Sequence, residues 1–186
     1  MACPVRAQTT AYSPDSGRTP NQIVLMVPVT ASVGGRCGFA DGGAPDGSYH
    51  QDNFDETGLQ HQFAFMLDCT GPSRVAVVSQ NGGMLTPGAA PAGYATKAPY
   101  DVTLHLVGNG GATTATATCA ADTLPVGAGC SFLGPASTSQ GLRLASASTL
   151  QSGSYLSVSA PPYSGAAALV TGTYSDVLTV TLSASP

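Results

Sequence analysis

The side chains with the most chemical capacity lie between His50 and His61. These two histidines flank Asp52, Asp55 and Glu56, a set of residue types that can hold a divalent metal or exchange protons. No motif fixes their geometry, however, and the surrounding segment from Gly38 to about Gly58 is rich in Gly, Asp, Ser and Asn. A solvated polar loop is the simpler expectation. His105 sits in an alternating stretch and should point outward from a strand, without a chemical role. Ser, His and Asp all occur, but no Gly-x-Ser-x-Gly elbow or similar element supports a catalytic triad. The expectation is therefore no catalysis, no cofactor and no metal.

The cysteines carry a different chemistry. Cys3, Cys37, Cys69, Cys119 and Cys130 form no CxxC pair and have no Cys/His spacing that would hold zinc. Four of them fall within or beside expected strands, as in stapled secreted β domains. Four cysteines allow three pairings. The expected one joins Cys37 to Cys69 and Cys119 to Cys130, each bridge stabilising by roughly 2–4 kcal/mol. Cys3 is left over, as a spare thiol or an attachment point.

Composition narrows the partners. The chain has 186 residues, of which 9% are charged, against about 25% in an ordinary soluble protein. Its single lysine is Lys97 and its single glutamate Glu56, and the net charge is −4. Without a basic cluster it has nothing to neutralise phosphates, which argues against nucleic acid or an anionic membrane as partner. No apolar run approaches the roughly 18 residues of a membrane span, so no integral membrane segment is expected. Residues 1–20 are largely polar and interrupted by Pro4 and Pro14, unlike a signal peptide. If the protein is secreted, the sequence reads as a mature chain or one given a starting Met.

The elements that must position these residues are strands. Alternation and turn signals predict strands over 62–68 and 74–80, joined as a β-hairpin by the turn Thr70-Gly71-Pro72-Ser73. A Pro/Gly/Ala loop follows over 87–98. Further strands are expected over 101–107, with Val102, Leu104 and Leu106 inward, and over 113–118, 142–145, 155–159, 169–172 and 174–182. In the last of these, Leu178, Val180 and Leu182 face one way and Val177, Thr179 and Thr181 the other. No segment shows a sustained helical period, so an antiparallel β-sandwich is expected.

One stretch near the start lacks an evident partner. Over 22–33 the odd positions Ile23, Leu25, Val27, Val29, Ala31 and Val33 are all apolar, while Gln22, Thr30 and Ser32 are polar. A strand here has one continuous apolar face that something must bury. Pro28, inside it, cannot donate to a ladder and leaves one rung missing. The strand is either the first of its own sheet or an arm reaching into a neighbour.

A family resemblance bears on that choice. The apolar run 27–33 leading to Cys37, the cysteine that follows strand 63–67, the segment Pro99-Tyr100-Asp101-Val102-Thr103-Leu104 and the closing Gly172-Thr173-Tyr174-Ser175-Asp176-Val177-Leu178-Thr179-Val180-Thr181-Leu182 together resemble the spore coat protein U-like domain. That family includes the archaic, Csu-type pilins of the chaperone-usher pathway. The resemblance covers roughly residues 22–186. It implies an incomplete immunoglobulin-like antiparallel β-sandwich that lacks its last strand and is completed by the N-terminal donor strand of a neighbouring subunit.

Carried onto this chain, residues 1–33 become an arm and 34–186 a pilin domain. Ile23, Leu25, Val27, Val29, Ala31 and Val33 are the donor side chains. Tyr174, Leu178, Val180 and Leu182 line one wall of the acceptor groove. Burying six donor side chains at about 1–3 kcal/mol each would make a strong joint before ordering costs are subtracted. The expected partners are other copies in a head-to-tail filament, with a periplasmic chaperone and an outer-membrane usher during assembly. The expected function is that of a structural subunit of a bacterial surface fimbrium, exported through the periplasm and serving attachment and biofilm formation. The alternatives are a fibre-tip adhesin that binds a ligand and a spore-coat-like envelope protein.

Overall fold

The computed structural model describes residues 35–45, 47–127 and 129–185. The chain divides into two units at Val33 and Gly34. The expected strand 22–33, Cys3 and residues 1–20 lie outside the described residues, all of which belong to the second unit.

That unit is all-β, with 46% of residues in strands and 7% in helix. In chain order the strands are β1 (Cys37–Phe39), β2 (Leu59–Cys69), β3 (Ser73–Ser79), β4 (Met84–Leu85), β5 (Tyr94–Ala95), β6 (Lys97–Ala98), β7 (Asp101–Val107), β8 (Thr114–Ala120), β9 (Leu142–Leu144), β10 (Ser148–Ala160), β11 (Ala168–Leu169) and β12 (Leu178–Ala184). A single turn of helix, α1 (Phe54–Thr57), precedes β2. One sheet has the order β1-β2-β10-β7-β8 and the other β12-β3-β9. Both are antiparallel throughout. Two small ladders, β4 with β6 and β5 with β11, attach to them, the latter parallel.

Period-two patterning explains the register. In β7, Val102, Leu104 and Leu106 are fully buried, while His105 and Thr103 pair across the opposite face with Thr116 and Thr118 of β8. In β8 the threonines are exposed and Ala115, Ala117 and Cys119 turn toward the core. A single apolar cluster joins Phe65 and Leu67 of β2, Val75 and Val77 of β3, Leu104, Phe132, Leu144 and Leu156. The two sheets therefore share one core.

Both expected disulfides are present, Cys37–Cys69 and Cys119–Cys130. The first fastens β1 to the end of β2, where Cys37 and Cys69 are register partners.

Several expectations need correction. β2 and β3 do not form a hairpin: β2 pairs with β1 and β10, β3 with β12 and β9. Both strands bury their apolar faces in one core, which they do from opposite sheets. The intervening turn is held accordingly, the N–H of Thr70 donating to Arg36 O and the N–H of Ser185 to Pro72 O. The strand expected over 155–159 is the far end of a 13-residue β10 whose first half is bulged. The strand expected over 174–182 begins only at Leu178, so Tyr174 belongs to the segment leading into it rather than to the strand. The loop expected from Gly38 to Gly58 begins inside β1 and contains α1.

Candidate functional site: an apolar cleft between two open strand edges

Among the described residues, the two sheets are left incomplete on the same side. β12, at the edge of its sheet, has β3 as its only ladder partner among the described residues. Its inward Leu178, Val180 and Leu182 are part-exposed, whereas Val75 and Val77 beside them are fully buried. In the other sheet, β1 covers β2 only at Leu67, Asp68 and Cys69. Two backbone bonds extend that cover to Met66, from Ala40 N–H to Met66 O and from Met66 N–H to Gly43 O. Among the described residues no strand pairs with 59–65 on that side.

Between these edges lies a cavity of about 860 Å³. Leu59 and Phe63 of β2, Leu156 and Val158 of β10, and Leu178 and Val180 of β12 line it. Such a space suits an apolar ligand or an added strand: its floor is hydrocarbon and its flanks offer backbone groups without a ladder partner among the described residues.

Of the expected acceptor residues, the structure brings Tyr174, Leu178 and Val180 to this cavity. Leu182 packs against the core further along β12. The donor residues lie outside the described residues.

One functional group at the rim has no expectation attached to it from sequence. Asp176, two residues before β12, accepts hydrogen bonds from the hydroxyls of Ser79 (2.6 Å) and Tyr100 (2.7 Å) and from the N–H groups of Asn81 (3.0 Å), Gly83 (3.4 Å) and Val177 (2.7 Å). One carboxylate thus ties the end of β3, the start of β7 and the start of β12 together. Burial, followed by the bond to Asp176 and its negative charge, raises the Tyr100 hydroxyl well above its ordinary pKa, with only the bond to Ser79 opposing. Tyr100 therefore remains a neutral donor. The available signal is the position of Asp176, a lone carboxylate before an alternating run.

The histidines and acids between His50 and His61 do not assemble into one centre. His50 Nε2 lies 2.9 Å from Asp52 Oδ1, but both side chains are almost wholly solvated. His61 stands apart, its ring stacked on Tyr49 at 4.0 Å and met edge-on by Phe63 at 4.7 Å. Asp55 and Glu56 fall in the exposed first turn of α1. Among the described residues no group of three or more His, Cys, Asp or Glu is placed to hold a metal. His105 stacks on Tyr155 at 4.9 Å, and its Nδ1 lies 2.6 Å from Thr116 Oγ1. Nor is any helix among the described residues long and apolar enough to cross a membrane. No protein-family model, curated protein or solved structure gives a significant match to this chain.

Proposed function

We propose that the cleft is an acceptor for a β-strand and that the occupant is the apolar stretch Ile23, Leu25, Val27, Val29, Ala31 and Val33 of another copy of this chain. The observation that carries this is an apolar floor flanked by two strand edges that are unpaired among the described residues, one on each side. An inserted strand gains side-chain burial below and backbone hydrogen bonds on both flanks. The alternation of 22–33 supplies the matching apolar face.

On this reading the domain is an incomplete immunoglobulin-like sandwich and the protein is a chaperone-usher fimbrial subunit, polymerising head to tail at the bacterial surface in attachment and biofilm formation. A contact between unlike surfaces of successive copies does not close on itself, as filament growth needs. A periplasmic chaperone would cover the cleft before an usher exchanges it for the next subunit. The two disulfides fit a route through an oxidising compartment.

The test uses full-length chains with complementary lesions. Leu25→Asp with Val27→Asp disables the donor; Val180→Asp disables the acceptor. Each alone should abolish the thin fibres seen by negative-stain microscopy, and mixing the two should give a one-to-one heterodimer through the one intact joint. Persisting fibres in the donor variant, or no association on mixing, would overturn the reading.

A further inference from the structure

We propose that residues 47–57 form a displaceable lid on the cleft, clasped by two aromatic pairs and driven outward when a strand enters. This rests on the cleft being a strand acceptor.

The geometry starts with His61. It shares the inward face of β2 with Leu59 and Phe63, yet what covers it is Tyr49, a residue 40% exposed whose ring lies nearly parallel to the imidazole at 11°. Tyr49 therefore occupies space over an inward position of an open edge, where a side chain of an added strand would pack. The second pair bridges the mouth. Phe54 of α1 meets Tyr174 edge to face at 5.6 Å, and Tyr174 is anchored on the β12 side by its hydroxyl, which donates to Val170 O at 2.9 Å. Tyr49, Phe54 and Tyr174 all line the same cavity. The lid thus reaches from one rim to the other.

Among the described residues, little else holds it down. Nine of the eleven residues 47–57 are exposed and α1 buries none of its side chains, so local opening should cost far less than unfolding. The Tyr163 N–H donates to Asp55 O at 2.8 Å, while the bonds from Glu56 N–H, Thr57 N–H and the Thr57 hydroxyl return to Asn53 O within the lid. Glycines flank the moving part. Gly47 adopts φ 120° in open space, and Gly58, at φ 78°, lies so close to Ala160 O that a Cβ would fall 2.7 Å from it. The Gly58 end is held against β10 as a pivot, and the Gly47 end has open space around it. Asp52, Asp55 and Glu56 keep the lid hydrated once it swings away.

Hydrogen exchange read by mass spectrometry tests this on the full chain carrying Leu25→Asp and Val27→Asp, titrated with a synthetic peptide of residues 21–33. The expected result is new protection at 59–65 and 178–184 together with faster exchange at 47–57. Protection at both edges with 47–57 unchanged would overturn the lid and leave the acceptor reading intact; no protection at either edge would overturn both. Phe54→Ala should also speed peptide association on the order of 2- to 10-fold, the loss of one aromatic pair. Tyr49→Ala, at an exposed position, should act in the same direction even if Phe54→Ala perturbs folding. An unchanged or slower rate in both variants would refute the lid.

Discussion

Replacing Asp176 tests how the β12 wall of the cleft is held. In Asp176→Ala the hydroxyls of Ser79 and Tyr100, now 2.6 and 2.7 Å from a carboxylate oxygen, lose their acceptor. Tyr100 is 6% exposed and Ser79 1%, so each stranded donor costs about 1–3 kcal/mol. Asp176 itself is only part-buried, and water entering the vacated space recovers some of that. The expected loss is about 2–4 kcal/mol. Asp176→Asn should be milder. Its Oδ1 can keep the N–H groups of Asn81 and Val177 while its amide donates to the two hydroxyls, which rotate to accept, and only the long bond from the Gly83 N–H is lost. Lost charge assistance then dominates, at about 1–2 kcal/mol. The assay is guanidinium unfolding followed by circular dichroism, on full chains with Leu25→Asp and Val27→Asp so that self-association does not add to stability. A cost for Asp176→Ala below about 1 kcal/mol, or equal costs for the two variants, would refute the claim that this carboxylate organises the wall.

Three further outcomes are expected. Because burial and Asp176 raise the Tyr100 pKa in the folded state, its contribution is complete below the unfolded value of about 10 and is lost as pH climbs above it. Denaturant midpoints should therefore fall in alkali, and Tyr100→Phe should flatten that fall. The disulfides span 32 and 11 residues of sequence separation, so chain entropy predicts that Cys37→Ala with Cys69→Ala costs about 1 kcal/mol more than Cys119→Ala with Cys130→Ala; equal melting losses would contradict this. Leu104→Ala, fully buried in β7, should cost about 2–5 kcal/mol in the same unfolding assay, unlike Leu85→Ala at a 38% exposed site, which should cost under about 1 kcal/mol.

Strands are legible in the sequence where alternation is strict. The bounds of Asp101–Val107 follow from spacing alone, because Val102, Leu104 and Leu106 alternate with polar partners. Sheet partnership does not, since alternation says which face is buried and not which strand lies alongside. That is why β2 and β3, three residues apart, read as one hairpin when the core holds them on opposite sides. The start of β2 at Leu59 is hidden because His61, an inward residue covered by the stacked Tyr49 ring, interrupts the apolar pattern. Of the cleft's β12 side, the inward set Leu178, Val180 and Leu182 is legible from spacing. Asp176 is not, because a carboxylate satisfied by groups 76 to 97 residues away looks locally like any turn residue.

The Cys37–Cys69 bridge has a mechanical side. β1 has only three residues, and a pull on the chain at Arg36 would otherwise peel it away one rung at a time. The bridge carries that pull into Cys69 and so into β2, whose ladder with β10 runs over ten residue pairs. Rupture must then also break into that ladder. A single covalent link turns a weak edge attachment into a load path through the sheet interior, and its reduction should lower the force at which the domain yields.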